Sequence, residues 1–476
     1  MNKYKSLKYN ALMSSINTGV TLLFPLVTLP YVSRVLSVEN IGKYNFSNTF
    51  ISYFALLATL GVNTYGVREC SKVRDNYEEA SSVVSQIFTI NIITTLFSYV
   101  VLATLLISVG SISAYKTCIV VFSTTIFFTT FGVEWVYKAY ERFTFITIRT
   151  VVFKIVSLIL IFIFIRDEDD YVVYAMITAF GTCAPYLINF IQSRKLCSIR
   201  LTRKMELKIH LKPLLVLSAS ALAVHAYNSA DTIMLGLLSN DYAVGLYTTA
   251  SKIYLMAKSV LLSVLTVTVP RLTSLVNNRE QFQSLIKKIV NVMNFIALPS
   301  MSGIILMSDE ILFVIAGEEY VGASIPLKIL GIAIIFSMYA WISSECILVP
   351  NEKEKDSLIS TSIAALLNIA LNIFLIPIWS ATAAAITTVV AEACVMIYCS
   401  VKAKKLIKVR FINNNTVKEA IGCLGIGIVC YACKLLIPII ILRLFSAIII
   451  SAALYMLINI LFENDVYLSL VKRRSL

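Results

Sequence analysis

The residues able to do chemistry in this chain are few, and most lie inside long apolar runs. Lys252 and Lys258 interrupt one run (246–270), Asp231 and His225 another (213–238), and Lys154 a third (148–165). A charge held in hydrocarbon costs ~2.5–3.5 kcal/mol on insertion scales, so such residues face a partner or a wet cavity. Lys258 falls midway along its run. Lys252 lies six residues from the start of that run and Asp231 seven from the end of the one before it. At ~1.5 Å per residue both sit at similar depth on antiparallel neighbours, where they can form an ion pair. No acidic residue of the preceding run matches the depth of Lys258. It is therefore the stronger candidate for holding an anionic ligand, against the alternative of snorkelling along its own apolar stem. His225 can titrate between about pH 5 and 8 or pack as a neutral ring.

Other polar residues have plainer readings. Glu134, Lys138 and Glu141 share one helical face at i, i+4 and i+7, and glutamate before lysine at that spacing stabilises a helix. Arg149 reads as a charge near the membrane surface. Arg34 closes the first apolar run. Glu345 and Glu392 sit inside later runs with no partner visible from sequence. Asn17, Asn45, Asn48, Asn63, Tyr227 and Asn228 can bind the polar groups of a ligand or, more commonly, bond neighbouring helices.

No catalytic constellation emerges. There are two histidines and ten cysteines, mostly within apolar runs. The Cys430-x-x-Cys433 pair also falls in such a run, so small buried residues are the simplest reading and no metal site is expected. A phosphate-binding G-x-x-x-x-G-K-[ST] loop is absent, and no cofactor is expected.

The elements that must position these residues follow from composition. Of 476 residues 58% are apolar and 14% charged, with a mean hydropathy of +0.82. Soluble domains carry about a quarter charged residues. Runs of about twenty apolar residues recur at 12–33, 44–66, 85–108, 115–136, 148–165, 172–193, 213–238, 246–270, 289–316, 325–348, 357–377, 380–402, 417–437 and 441–462. Each can cross a hydrocarbon core of roughly 30 Å. They are continuous rather than alternating, which indicates helices and not barrel strands. The expected fold is an all-α integral membrane protein of about fourteen transmembrane helices. The first run follows lysines but is longer than a signal-peptide core and has no small-x-small site, so it reads as a retained span.

The net charge of +14 resides mainly in loops, where it sets topology rather than recruiting nucleic acid. With the N-terminus in the cytoplasm, 31 of 41 basic residues fall on the inner side and six on the outer, the remaining four lying within spans. Lys3, Lys5, Lys8, the seven between Arg194 and Lys212 and the tail Lys472-Arg473-Arg474 belong to the inner set. Outer segments are neutral or acidic, as in Asp167-Glu168-Asp169-Asp170.

The chain also echoes itself. Leu36-Ser37 followed by Gly42-x-Tyr44 recurs as Leu238-Ser239 followed by Gly245-x-Tyr247, at an offset of 203, and Trp135 recurs as Trp341 at 206. Two six-helix lobes of one orientation (1–195 and 213–405) would be joined by a basic linker (196–212) and followed by two extra helices and a basic tail (406–476). Parallel repeats of this kind are a transporter design, with substrate expected between the lobes. At the 203 offset Asp231 corresponds to Thr28 and Lys258 to Ala55, so the cations of such a site would come mainly from the C-terminal half.

Several segments together resemble the polysaccharide-transport family, the bacterial flippases of O-antigen and capsule repeat units within the multidrug/oligosaccharidyl-lipid/polysaccharide exporter superfamily. They are Phe24-Pro25-Leu26-Val27-Thr28-Leu29-Pro30-Tyr31-Val32-Ser33-Arg34, Glu39-Asn40-Ile41-Gly42, Tyr65-Gly66-Val67-Arg68-Glu69, Gly132-Val133-Glu134-Trp135, Ile146-Thr147-Ile148-Arg149, Asp231-Thr232-Ile233-Met234-Leu235-Gly236, and Asn368 and Asn372 before Ile376-Pro377. The resemblance covers the first twelve spans. It implies a bacterial cytoplasmic-membrane protein that moves an undecaprenyl-pyrophosphate-linked oligosaccharide from inner to outer leaflet by alternating access. Its implied partners are that substrate, bilayer lipids and other polysaccharide-assembly proteins. Lys258, Lys252, Lys154, Arg34, Asn48 and Tyr227 then become candidates for pyrophosphate and sugar, and Asp231 with His225 for coupling or charge pairing. A multidrug or cation antiporter of the same superfamily is the alternative, but it would want acidic residues at depth. A membrane polysaccharide polymerase would need a large catalytic loop, and none is present.

The charge distribution predicts that both termini and the 194–212 segment face the cytoplasm. Single-cysteine labelling in intact cells should leave position 203 unmodified by an impermeant maleimide until the membrane is permeabilised. Labelling before permeabilisation would invert the topology.

Overall fold

A computed structural model describes residues 7–203, 206–266 and 268–467. The expected inner-side charges Lys3, Lys5, Lys204, Lys472, Arg473 and Arg474 lie outside the described residues. Those residues contain helices and no strand. Compactness divides the chain between Leu237 and Leu238, so the basic linker and the helix after it fold with the first unit.

The first unit holds α1 (Leu7–Val35), α2 (Val38–Thr59), α3 (Val62–Val73), α4 (Tyr77–Ser108), α5 (Lys116–Phe131), α6 (Glu134–Ala139), α7 (Phe143–Phe164), α8 (Tyr171–Ser193) and α9 (Leu207–Leu238). Ser37 starts α2 as an N-cap, its hydroxyl accepting the Asn40 amide at 3.3 Å. Between α2 and α3 the backbone turns left-handed at Leu60 and Gly61. A Cβ on Gly61 would lie 2.8 Å from the Cβ of Leu217, so glycine lets α9 cross there. Gly66 serves a similar purpose, since a Cβ would sit 2.5 Å from the Trp135 ring. The expected 115–136 span is shorter than it reads. The chain leaves the helix after Phe131, passes through Val133 at φ 39° and restarts as α6.

The second unit holds α10 (Asp241–Thr266), α11 (Val269–Leu275), α12 (Arg279–Leu306), α13 (Ser308–Ala316), α14 (Ser324–Trp341), α15 (Glu354–Lys404), α16 (Asn414–Leu436) and α17 (Ile440–Leu461). The 51-residue α15 is a hairpin, broken at Ser380 (φ 50°, ψ −127°). Its arms run antiparallel: Thr387 donates to Asn372 at 2.6 Å, Ser360 meets the Cys399 sulfur at 3.2 Å, and Lys402 pairs with Asp356 at 2.8 Å. The arms coincide with the expected spans 357–377 and 380–402. Among the described residues twelve helices are long and apolar enough to cross a bilayer. That set counts α15 once and omits α10, which carries both lysines, so the number of crossings is about fourteen. The protein is a multi-pass membrane protein.

The last two helices are fastened to the rest of their unit by polar contacts. The Tyr455 hydroxyl donates to the Phe295 carbonyl at 3.0 Å. Asn294 on α12 donates to the Phe411 carbonyl at 2.7 Å. Arg443 and Lys434 converge on Glu310 at 3.2 and 3.3 Å.

The linker after α8 is positioned by a match of two periods. The amides of Ser198, Arg200 and Thr202, two residues apart, donate to the hydroxyls of Ser81, Ser85 and Thr89, four residues apart on α4, at 2.9, 3.1 and 3.1 Å. Two extended residues advance about 6.6 Å and four helical ones about 6.0 Å, so an extended strap can run along one helix face. Cys197 opens the strap and is fully buried, and burial pushes its thiol up to about 12. Replacing Ser81, Ser85 and Thr89 together by alanine removes three hydrogen bonds of about 1 kcal/mol each. Local opening should become ~100–200-fold more frequent, because each 1.4 kcal/mol is a factor of ten. Maleimide modification of Cys197, followed by peptide mass spectrometry, should accelerate accordingly. An unchanged rate would mean that the ladder does not hold the strap.

Candidate functional site

The clearest charged constellation lies in the second unit. Tyr254 and Lys258 are one turn apart on α10 and meet Glu392 on the second arm of α15. The Lys258 ammonium lies 2.6 Å from Glu392 Oε1 and 3.4 Å from the Tyr254 hydroxyl. That hydroxyl donates to the same oxygen at 3.0 Å. The side chains of Lys258 and Glu392 are only 19% and 6% exposed, so this is a buried ion pair. Lys258 is therefore not the partnerless cation expected from sequence. Glu392 lies midway along the 380–402 span, as Lys258 does along 246–270, and that equality of depth is the signal that would have joined them. Comparing Lys258 only with the adjoining span missed a partner 134 residues away.

The repeat is visible in the bonds. In the first unit the Tyr44 hydroxyl donates to Thr178 Oγ1 at 3.2 Å, joining α2 to α8. In the second, Tyr247 meets Thr388 Oγ1 at 3.0 Å, joining α10 to the second arm of α15. Carried through this correspondence, Lys258 and Glu392 fall on Ala55 and Thr182, so the ion pair belongs to one repeat only.

A second polar cluster lies in the first unit, where His225 Nε2 is 2.7 Å from the Ser52 hydroxyl and the imidazole meets the Tyr53 ring edge-on at 4.5 Å. Asp231 is buried on α9 of the first unit, and Lys252 is half-buried on α10 of the second. Tyr227 on α9 is half-buried, whereas Asn48 on α2 and Arg34 at the end of α1 are exposed. Arg34 donates to the Pro30 carbonyl at 2.5 Å. The Lys154 ammonium rests 4.3 Å from the centre of the Phe24 ring, a cation–π contact.

Around Glu134 the sequence reading holds in one part and fails in another. Lys138 pairs with Glu134 at 2.9 Å, as the spacing predicts, but Glu141 turns away to Arg74 at 2.8 Å. Arg149 is not a surface charge. It is 5% exposed, ion-paired with Glu134, and stacked 5.6 Å over Tyr186. Burial of a guanidinium requires such a counter-charge, and the 15 residues separating Arg149 from Glu134 hide the pair from a helix-face argument.

A protein-family profile described as polysaccharide biosynthesis protein matches residues 7–276, more than half of the chain. The chain belongs to that family. A protein of Escherichia coli (strain K12) named for O-antigen transport is 24% identical over 407 residues, covering 83% of this chain and 96% of that protein. A Shigella dysenteriae protein of the same name is 21% identical over 358 residues, covering 73% and 88%. Among solved structures, the lipid II flippase MurJ in an inward closed conformation aligns with a TM-score of 0.77 at 16% identity, over 96% of this chain and 99% of that one. An inward-facing multidrug resistance transporter of the MATE family aligns with a TM-score of 0.59 at 15% identity, over 82% and 98%. At such identities these likenesses establish a shared fold.

Removing one partner of a buried ion pair strands the other charge, at about 3–5 kcal/mol. Lys258→Gln and Glu392→Gln should each lower the amount of folded protein in the membrane, and the double variant should recover most of it. Equal loss in all three, measured by detergent-phase abundance and melting temperature, would show that the pair is not what stabilises this region.

Proposed function

We propose that this member of the family is a flippase that carries an undecaprenyl-pyrophosphate-linked oligosaccharide repeat unit from the inner to the outer leaflet of the bacterial cytoplasmic membrane by alternating access. It would serve synthesis of O-antigen, capsule or exopolysaccharide. The observation that carries the proposal is the match to a protein named for O-antigen transport along 96% of that protein's length.

The physical task fits the residues. Sugars and pyrophosphate cannot enter hydrocarbon without polar company, whereas the polyprenyl tail is at home there. A phosphate entering the path needs a fixed cation, and Lys258 is a mid-span cation on an exchangeable partner. A pyrophosphate oxygen can replace Glu392 at the ammonium. Lys252, Lys154 and Arg34 are further anion contacts in this proposal, Asn48 and Tyr227 sugar contacts, and Asp231 with His225 the coupling groups. A cation antiporter would instead need an uncompensated carboxylate at depth, and Glu392 is compensated by Lys258.

Expression in a strain lacking the flippase for the matching repeat unit should restore surface glycan. The Lys258→Gln, Glu392→Gln double variant should fail to restore it by at least ~tenfold at matched membrane levels, one charged hydrogen bond to phosphate being worth about 1.5–3 kcal/mol. Absence of glycan with the wild-type chain, together with raised resistance to cationic drugs, would transfer the reading to the antiporter.

A further inference from the structure

A cavity of about 520 Å³ in the first unit, unrelated to the Lys258 pair, has the features of an anion site opening onto lipid. Its wall includes Tyr140, Glu141 and Arg142 in the turn before α7, Ile148, Arg149 and Val152 on α7, and Ile188 on α8. Arg149 spends Nη2 on Glu134, yet its Nε and Nη1 are buried with no hydrogen-bond partner. Buried donors left in that state are rare and costly, and each requires an acceptor that completes it. Three N–H bonds on one planar guanidinium suit a tetrahedral oxyanion.

Three further observations point the same way. The start of α7 has no side-chain cap, so the positive end of its dipole lies beside the cavity. The charges nearby are unbalanced: Glu134 is engaged by Arg149 and Lys138, and Glu141 by Arg74 and Asn10. Of the charges that line the cavity, Arg149 and exposed Arg142 are cations and Glu141 is the one carboxylate, already engaged by Arg74 and Asn10. Finally, Ile148 and Val152, one turn apart on α7, are 59% and 49% exposed and continue the wall as an apolar track. Lipid tails lie along such tracks, and basic residues bracket phosphate heads at the inner face of membrane proteins. The distribution of basic residues assigns this end of α7 to that face.

We propose that this cavity binds the phosphate head of an anionic inner-leaflet lipid. Arg149 and Arg142 hold the phosphate oxygens and the hydrocarbon tail lies along Ile148 and Val152. The chemistry is common to an acyl phospholipid and to a polyprenyl-linked phosphate, and only the second source rests on the transport reading above.

The test uses the full chain in neutral detergent and follows its melting temperature against phosphatidylglycerol, polyprenyl pyrophosphate, phosphatidylcholine and inorganic pyrophosphate. Wild type should be stabilised by one or both anionic lipids, and not by phosphatidylcholine or inorganic pyrophosphate. Arg142→Gln, which removes only an exposed charge, and Val152→Trp, which fills the cavity, should each weaken the apparent affinity about tenfold. Arg149→Gln should abolish it, but that variant also disturbs the Glu134 pair and so is not decisive alone. Preference for phosphatidylglycerol identifies a structural lipid; preference for polyprenyl pyrophosphate identifies an entry point for substrate. Failure of both lipids, equal binding by inorganic pyrophosphate, or unchanged affinity in Arg142→Gln and Val152→Trp would overturn the proposal. None of these results bears on whether the chain restores surface glycan.

Discussion

A charge in hydrocarbon must be matched, and that requirement organises the polar interior of this protein. Lys258 finds Glu392 and Tyr254; Arg149 finds Glu134 and the face of Tyr186; Glu310 finds Lys434 and Arg443. Each match joins different helices, so each also fixes helix packing. In water such pairs would contribute little. In an apolar interior the alternative is an orphaned charge, so losing one partner of a pair costs about 3–5 kcal/mol.

Much of the architecture was legible because the bilayer makes apolar length a direct signal. The helical class, the approximate number of spans and the break between the expected spans 357–377 and 380–402 all follow from runs of about twenty residues. The family was legible from short segments whose physical reasons the structure supplies, such as Gly66, which leaves room for the Trp135 ring. The left-handed turn at Val133 was not legible, because a β-branched residue disfavours that conformation and gives no warning of it.

Partners across long sequence separations were the other illegible part. Helix periodicity shows which residues share a face, but not which helix that face meets. Arg149 therefore read as a surface charge and Glu392 as unexplained. Depth along the span is a usable signal that periodicity ignores, since two charges midway through their helices lie in the same plane of the bilayer. Asparagines and serines in the spans carry no such cue, because each can bond its own helix backbone as readily as a neighbour.

The two repeats show what that constraint leaves free to vary. Both join the equivalent pair of helices by a tyrosine hydroxyl on a threonine hydroxyl, at 3.2 Å in one and 3.0 Å in the other. Such a neutral bond satisfies two polar groups and demands nothing else from its surroundings. Only the second repeat adds Lys258 and Glu392, at positions where the first has Ala55 and Thr182. An alanine and a threonine close that position at no electrostatic cost, so the helix pairing does not need an ion pair to form. Each added charge obliges the other, and neither can be acquired or lost singly without the stranding penalty. What the pair provides that alanine and threonine cannot is a cation and an anion whose bond can be exchanged for another, and at this position the second repeat has that property where the first does not.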